Sequence, residues 1–258
     1  MSQAPLPVPA ATILMLRDGP NGLETFMVVR HHQIDFASGA LVFPGGKVDQ
    51  GDFEVREYCH GVDGADDTSV GLMAGALREA FEECGILLAR PEGSDELISG
   101  ERLAALTPYR DQLHQGDISL ADFLQQEALI LACDKLQHFA HWITPDMMPK
   151  RFDTHFYLAA APADHLALHD GHESVDSVWI NPADAIQGAK DKTYTIIFPT
   201  LMNIEMLGES DSVDTAIRMA AERDIVTVLP VVEQREDGKY LCIPAEAGYS
   251  VIEQKLPG

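Results

Sequence analysis

Basic residues are scarce in this 258-residue chain. It contains 18 Lys and Arg residues against 41 Asp and Glu residues, which gives a formal net charge of −23 at pH 7. A surface of that charge repels nucleic-acid backbones unless basic residues cluster locally, and we find no such cluster in the sequence. We therefore expect no nucleic-acid partner, and we interpret the charge first as a source of solubility.

Long hydrophobic runs and paired cysteines are also missing. No apolar stretch approaches the roughly 20 residues that a membrane-spanning helix needs, so we expect no membrane partner. The four cysteines (Cys59, Cys84, Cys133 and Cys242) form no Cys-x-x-Cys pair. Because the amino-terminal residues do not resemble a secretory signal, we expect reduced thiols and a cytoplasmic location.

Interspersed β-rich and helical segments predict a single α/β domain. Residues 11–16 and 24–30 flank a cluster of turn-forming residues and predict an antiparallel hairpin. A Gly- and Asp-rich stretch at 61–71 predicts a surface loop, and the pattern at 72–88 predicts a helix.

Three regions follow from this pattern along the chain. We expect a flexible amino terminus at 1–10, the main domain at 11–208, and an extension at 209–258 that packs against the main domain.

Three glutamates share one side of the helix predicted at 72–88. Glu79, Glu82 and Glu83 stand at i, i+3 and i+4, so at 3.6 residues per turn they span an arc of roughly 100°. Neighbouring carboxylates repel one another, and a bound divalent cation removes that repulsion. Because Mg²⁺ and Mn²⁺ prefer oxygen ligands, the pattern indicates a metal site. Taken alone, a solvated acidic face explains the same pattern equally well.

The residues around these glutamates resemble a known motif. The letters FPGG stand at 43–46, and REAFEECGI stands at 78–86. Together they resemble the Nudix box, G-x5-E-x7-R-E-U-x-E-E-x-G-U, in which U is a bulky apolar residue. The identical positions are Gly46, Arg78, Glu79, Glu82, Glu83 and Gly85.

The match to this motif is interrupted. Gly and Arg are 14 positions apart in the uninterrupted motif, whereas Gly46 and Arg78 are 32 positions apart, so 18 residues are inserted. Counting six positions from Gly46 reaches Asp52 instead of Glu, so the first acidic position is either altered or displaced. We expect the insertion at about 53–71, before the helix.

An interrupted box of this kind is similar to that of the coenzyme A diphosphatase-like subgroup of Nudix hydrolases. Further matches cover most of residues 11–208; they are Gly39 and Asp49 around FPGG, WITP at 142–145, RFDTHF at 151–156, and Glu173 with Trp179 and Pro182. One departure is Asp35, which stands where relatives active on coenzyme A often carry an Arg.

The resemblance implies a Nudix fold, in which a mixed β-sheet is sandwiched between helices, with extra helices and a short carboxyl-terminal extension. It also implies metal-dependent hydrolysis of a diphosphate linkage in a nucleoside diphosphate derivative, with Mg²⁺ or Mn²⁺ as cofactor. The first expected substrate is coenzyme A or acyl-coenzyme A. Alternatives are a hydrolase of ADP-ribose or dinucleotides, and a catalytically silent module that senses nucleotides. The sequence does not distinguish a monomer from a homodimer.

The resemblance also assigns roles to acidic residues. Glu79, Glu82 and Glu83 are the expected metal ligands, and Glu82, Glu83, Glu173 and Arg78 form the expected catalytic group. Within that group, we expect Arg78 to orient a carboxylate through an ion pair rather than to touch substrate. Either Glu83 or Glu173 serves as general base, since a base must lie within hydrogen-bond reach of its proton.

A polyanionic substrate also needs cations and close backbone approach. We expect Gly45 and Gly46 to approach the substrate, because a glycine has no side chain to block contact. The candidate cations are Arg30, Lys47, Lys150 and Arg151. For Arg151, phosphate contact and a structural ion pair are equally compatible with its position. His31, His32, His155, His165 and His172 show no metal-ligand spacing with one another, and we interpret them as ordinary polar residues.

Overall fold

The computed structural model describes residues 5–30, 39–165, 167 and 174–256. In chain order, the strands are β1 (Val8–Gly19), β2 (Gly22–Arg30), β3 (Leu41–Val42), β4 (Gly45–Lys47), β5 (Cys59–His60), β6 (Ala89–Pro91), β7 (Leu129–Ala132), β8 (Gln137–Ile143), β9 (Phe152–Ala160), β10 (Ser174–Ile180), β11 (Thr227–Val228), β12 (Val231–Arg235), β13 (Gly238–Cys242) and β14 (Glu253–Lys255). The α-helices are α1 (Asp67–Glu79), α2 (Gly100–Leu106), α3 (Pro108–Gln115), α4 (Leu120–Gln126), α5 (Pro182–Lys190), α6 (Phe198–Leu207) and α7 (Val213–Glu222).

Eight of these strands form one mixed sheet. Its order is β10–β2–β1–β9–β8–β11, with β3 paired to β2 and β4 paired to β1. Strand β1 is parallel to β9 and antiparallel to both β2 and β4. Gly19 pairs with Gly22 at the end of the β1–β2 hairpin, which confirms the predicted hairpin. Gly22 has a φ of 106°, a conformation that glycine adopts without a steric penalty.

Helices cover both faces of this sheet. Because side chains alternate along a strand, Ile13 and Met15 of β1 point to one face and Leu14 and Leu16 point to the other. The first pair packs in a buried cluster with residues of α1. The second pair packs in another buried cluster with residues of α6 and α7. The predicted arrangement, a mixed sheet between helices, is therefore confirmed.

Helix α1 begins earlier than the sequence predicted. Asp66 is its N-cap, and the Asp66 carboxylate accepts a hydrogen bond from the Ser69 N–H at 2.7 Å. Residues 67–71 consequently form the first turn of the helix, not part of the predicted loop. Their Gly and Asp content suggested a loop, but aspartates at a helix N-terminus are stabilising.

The inserted residues form part of a second, smaller sheet in the order β5–β7–β6. Arg90 at β6 donates two hydrogen bonds to Asp134, each of 2.7 Å. Gly61 lies against this aspartate, since a Cβ on Gly61 would come within 2.5 Å of Asp134 Cβ. Helices α2, α3 and α4 lie between β6 and β7 in the chain, and Phe123 of α4 stacks on Phe81 at a centroid distance of 5.6 Å.

The two ends of the chain contact the main sheet. Strand β1 starts at Val8, so residues 8–10 of the amino terminus predicted to be flexible belong to the sheet, while residues 1–4 lie outside the described residues. In the extension, Tyr249 joins the α6–α7 cluster and accepts a hydrogen bond from Trp142 Nε1 at 2.8 Å. Within the described ranges, no helix is long and apolar enough to cross a membrane.

Candidate active site

Strand β4 brings two adjacent glycines to the predicted metal ligands. The Gly45 N–H donates a hydrogen bond to Glu83 Oε2 at 2.9 Å. A Cβ on Gly46 would lie only 2.6 Å from Glu79 Oε1, so a larger residue would displace that carboxylate. The Gly45–Gly46 pair therefore contacts two of the three glutamates directly.

Arg78 is the centre of the ion-pair network at this site. Its Nη1 donates hydrogen bonds to Glu79 Oε1 at 2.9 Å and to Glu82 Oε1 at 3.1 Å. Its Nε and Nη2 form a bidentate pair with Asp52 at 2.9 and 3.0 Å, and Nη2 also donates to the Lys47 carbonyl. The Arg78 side chain is 7% exposed, so these charge-assisted bonds are largely shielded from water.

These contacts identify Arg78 as a positioning residue. Its donors point at protein oxygens, and through them it holds two glutamates and one aspartate together. The orienting ion pair expected from the sequence is present, and the membership of Arg78 in the catalytic group stays a prediction.

Asp52 occupies the first acidic position of the interrupted motif. It is 1% exposed and accepts a hydrogen bond from the Asp49 N–H at 2.8 Å as well as both bonds from Arg78. Gly75 of α1 permits this approach, because a Cβ there would lie 3.0 Å from Asp52 Oδ2. The position is thus altered from Glu to Asp but not displaced, and the insertion follows it. In the sequence, Asp52 could be found by counting six positions from Gly46, as the motif requires.

The glutamates stand where α1 changes to a wider helical turn. The α-helix ends at Glu79, residues 80–84 form a π-helical turn, and Gly85 ends it with a φ of 69°. Because a π turn contains more residues than an α turn, the glutamates do not follow the regular 3.6-residue spacing beyond Glu79. Single π turns of this kind occur often at functional sites.

Helix α3 stabilises this π turn through contacts that the sequence did not predict. Arg110 donates two hydrogen bonds to the Glu82 carbonyl at 3.2 and 2.9 Å. His114 Nδ1 lies 3.7 Å from Glu82 Oε2. Both residues belong to no motif and lie about one helix turn apart, so their shared target was visible only in the folded chain.

Burial dominates the electrostatics of the cluster. It raises the pKa of Glu79 to about 8, an effect that the Arg78 charge opposes. Burial also raises the pKa of Glu82 and that of Asp52, again against the effect of Arg78. One guanidinium thus faces three buried carboxylates, so the ionised cluster has an excess of negative charge.

This excess of buried negative charge fits a divalent cation. Carboxylate oxygens are the ligands that Mg²⁺ and Mn²⁺ prefer. The three glutamates do not form a closed ligand set, because within the described part of the chain their ligand atoms are not all within 4.8 Å of one another. The site is thus an acidic cluster preassembled on Arg78.

The remaining predicted residues are only partly brought to this site. Lys47 is an exposed residue of β4 directly after the glycine pair. Arg30 ends β2, but its side chain lies outside the described residues, as does all of Glu173.

Arg151 has a structural environment instead. Its Nε donates to the Thr144 carbonyl at 3.0 Å, its Nη1 donates to the Pro5 carbonyl at 2.8 Å, and its Nη2 pairs with Asp146 at 2.6 Å. These contacts tie the start of β9 to the amino-terminal segment. Of the two roles that the sequence left open for Arg151, these contacts correspond to the structural ion pair, and phosphate contact stays a prediction.

Known proteins resemble this chain in both sequence and fold. The family model of the NUDT19 Nudix domain matches residues 63–207, more than half of the chain. Acyl-coenzyme A diphosphatase NUDT19 of Xenopus laevis is 22% identical in an alignment covering 88% of this chain and 71% of that protein. The Homo sapiens protein of that name is 27% identical over 67% of this chain and 49% of its own length.

A solved structure supports the same conclusion. The NUDIX hydrolase from Alicyclobacillus acidocaldarius superposes with a TM-score of 0.67 and 27% identity, covering 83% of this chain and 96% of that one. The residues matched by the family model include Arg78 and the three glutamates. Nudix hydrolases generally use divalent metal ions, which agrees with the chemistry of the cluster. The predicted family and fold are confirmed: the chain belongs to the NUDT19 Nudix family and is a Nudix diphosphatase.

Proposed function

We propose that this protein hydrolyses the diphosphate linkage of coenzyme A or an acyl-coenzyme A with Mg²⁺ or Mn²⁺ held by Glu79, Glu82 and Glu83. The observation that carries the proposal is the contact of Gly45 and Gly46 with Glu83 and Glu79. Backbone without side chains lies there beside clustered carboxylates, which suits a phosphate chain that must approach bound metal closely. The names of the frog and human relatives support the choice of substrate.

The chain's own residues prepare this reaction. Arg78 holds Glu79 and Glu82, and the Gly45 N–H holds Glu83, so all three carboxylates are already oriented by the protein, although their oxygens must still move together around an ion. The carboxylates of Glu79, Glu82 and Glu83 would hold divalent ions, which would supply charge neutralisation for the diphosphate and a lowered pKa for water. The products are a nucleoside monophosphate and the phosphorylated remainder of the substrate.

Two residues are proposed as the base that takes the proton from water. Glu83 belongs to the cluster and already accepts one hydrogen bond from Gly45. Glu173 is the candidate from outside the motif. Replacing each by Gln and recording kcat against pH distinguishes them, because loss of the base removes the limb of the profile that reports its ionisation.

Lys47 and Arg30 are the proposed substrate-binding cations. Lys47 follows the glycine pair and is exposed, so its ammonium group is free of the shielding that surrounds Arg78. An acidic protein needs such local cations to attract a polyanion. Lys47→Gln should therefore raise KM more than it lowers kcat.

A substrate panel tests the proposal. Purified full-length protein is incubated with coenzyme A, acetyl-coenzyme A, ADP-ribose or a dinucleotide, each with Mg²⁺, Mn²⁺ or a chelator, and the products are separated by chromatography. We expect the highest kcat/KM for a coenzyme A compound and no turnover with the chelator. Faster turnover of ADP-ribose or the dinucleotide contradicts the proposed substrate. Metal binding without turnover of any diphosphate contradicts catalysis and supports nucleotide sensing.

We further propose a cytoplasmic location, which the four free cysteines support. Fractionation of cells that express the protein, with detection in the soluble cytoplasmic fraction, tests this location.

Sedimentation of the purified sample distinguishes a monomer from a homodimer.

A further inference from the structure

A second group of potential metal ligands lies apart from the glutamates. The ligand atoms of His141, Asp153 and His155 are all within 4.8 Å of one another. His141 Nε2 lies 2.5 Å from Asp153 Oδ1, and His155 Nε2 lies 3.9 Å from the same oxygen. Two imidazole nitrogens thus converge on one carboxylate oxygen. A simple His–Asp hydrogen bond explains the first contact but not the second.

The strand register creates this convergence. In the antiparallel β8–β9 pair, His141 stands directly opposite His155, and Asp153 stands opposite Ile143. Asp153 and His155 are two residues apart, so their side chains point to the same face of the sheet. The two imidazole rings are stacked with their centroids 4.0 Å apart.

The other ring nitrogen of each histidine already has a partner. His141 Nδ1 lies 2.8 Å from Thr227 Oγ1 on β11, and His155 Nδ1 lies 3.1 Å from His138 Nε2. Hydrogen bonds to one ring nitrogen orient the ring and fix which nitrogen is available to a metal. Here both Nδ1 atoms are held from outside, and both Nε2 atoms turn towards Asp153. A hydrogen-bonded partner on the second ring nitrogen is common among histidines that bind metals.

We propose that His141 Nε2, His155 Nε2 and the Asp153 carboxylate bind a divalent transition-metal ion such as Zn²⁺. Two imidazoles and one carboxylate suit Zn²⁺, Co²⁺ or Mn²⁺, whereas Mg²⁺ prefers sites made only of oxygen ligands. The side chains of His141, Asp153 and His155 are 16%, 35% and 20% exposed, so an ion can reach them from solvent. Three ligands leave further coordination positions for water or a phosphate oxygen.

The proposed site is separate from the glutamate cluster. Ala11 of β1 pairs with Gly46 on one side and with His155 on the other, so the two strands that carry them are neighbours of the same strand. At about 4.8 Å per strand, the Gly46 and His155 backbones are about 10 Å apart. The ligands proposed for an ion at the histidines therefore come from strands β8 and β9 and share no residue with the glutamate cluster.

Zinc binding in excess Mg²⁺ tests the proposal, because excess Mg²⁺ competes with Zn²⁺ for the all-carboxylate site proposed at the glutamates. Calorimetric titration of the full-length, untagged protein with Zn²⁺ should show one tight site. His155→Gln and Asp153→Asn should each weaken that site roughly 100-fold, as the loss of a ligand costs at least as much as the loss of its supporting partner. The control is His60→Gln, which removes an exposed histidine of β5 and should leave affinity unchanged.

Two further readouts make the result unambiguous. Zn²⁺ should raise the Tm of the wild-type protein and of Glu83→Gln but not that of Asp153→Asn, a variant that preserves the shape of the side chain. Substituting Co²⁺ should give visible absorption bands that disappear in His155→Gln. Absence of a tight Zn²⁺ site in excess Mg²⁺, unchanged affinity in both ligand variants, or loss of the site in Glu83→Gln would each overturn the proposal.

Discussion

The glutamate cluster and the histidine cluster both hold ionisable side chains away from bulk water, but they are stabilised in different ways. Burial disfavours the charged form in both: it raises the pKa of Glu79 to about 8 and, with neighbouring histidines, lowers the pKa of His155 to about 4. For a histidine the neutral form is already the one that binds a metal, whereas a glutamate must be ionised. The glutamates therefore need Arg78 as a built-in counter-charge, and the histidines need only partners that orient their rings.

The two clusters also differ in how the chain assembles them. Glu79, Glu82 and Glu83 lie within five consecutive residues, so their proximity follows from local helical structure. His141 and His155 belong to different strands and meet only through the register of β8 and β9. Variants in each cluster, and in matched control positions, test whether the two behave as independent sites.

The largest expected effect is on catalysis. Glu83→Gln should lower kcat/KM for the preferred diphosphate about 10³-fold, because it removes a proposed metal ligand and one candidate base. Steady-state kinetics with Mg²⁺ or Mn²⁺ measures the change. Glu246→Gln, at an exposed carboxyl-terminal position, should retain full activity. Near-normal turnover in Glu83→Gln would contradict the assignment of catalysis to the glutamate cluster.

Removal of the built-in counter-charge should have the next largest effect. Arg78→Ala leaves Asp52, Glu79 and Glu82 without their shared cation and should reduce the free energy of unfolding by about 3 kcal/mol. Urea denaturation of metal-free protein at pH 7 measures the loss. Arg218→Ala is the control, because Arg218 is 60% exposed and pairs with the surface residue Glu222. An equal effect of the two substitutions contradicts a central role for Arg78.

A smaller effect should come from crowding the cluster. Gly46→Ala places a methyl group about 2.6 Å from Glu79 Oε1, so the carboxylate must shift by several tenths of an ångström. We expect kcat to fall about 10-fold with little change in Tm, since a misplaced ligand costs rate more than stability. Gly51→Ala is a matched control, because a Cβ on Gly51 meets no atom within 4 Å. Equal kcat values for the two variants would remove the proposed close approach.

The smallest effect concerns an arginine–carboxylate pair outside both clusters. Arg90 and Asp134 have bidentate geometry like that of Arg78 and Asp52. The Arg90 guanidinium is hydrogen-bonded to one carboxylate, whereas that of Arg78 is hydrogen-bonded to three. Arg90 lowers the pKa of Asp134, whose ordinary value is 3.8. The pair therefore contributes fully above about pH 4, and its contribution is lost as pH falls through the lowered pKa.

Asp134→Asn tests the contribution of the Arg90–Asp134 ion pair to stability. Because Asp134 is partly exposed, the substitution should cost about 1 kcal/mol at pH 7. The difference from the wild-type protein should shrink towards zero as the pH falls below the pKa. Denaturation midpoints at several pH values measure the difference, and a difference that does not change with pH would contradict the ion-pair explanation.

Local patterns predicted much of the fold. The β1–β2 hairpin and the helix that carries the glutamates follow from alternation, turn residues and helical periodicity, which depend on near neighbours. The start of α1 was missed because its first turn has the composition of a loop. Helix α3 was missed altogether, and its Arg110 and His114 contact Glu82 only after α3 packs beside the π turn.

The motif predicted the members of the acidic cluster but not every role. Spacing identified Arg78 and the glutamates, and it reached Asp52 without revealing that this aspartate is buried against Arg78. For Arg151, the sequence was compatible with either phosphate contact or a structural ion pair. Its contacts with Thr144, Pro5 and Asp146 correspond to the structural ion pair. His155 showed no metal-ligand spacing with the histidines considered beside it, because its neighbours are set by strand pairing.

By itself, the amino-acid sequence determined the family, the reaction class and the one helical segment that carries the glutamates. Those features depend on residues close together in the chain, whose relative positions are set by backbone geometry alone. Only the tertiary structure decided that Asp52 neutralises Arg78, that α3 supports the π turn and that two histidines converge on Asp153. Each of these contacts joins residues from different elements, and their distance is set by sheet register and helix packing, which no local pattern encodes.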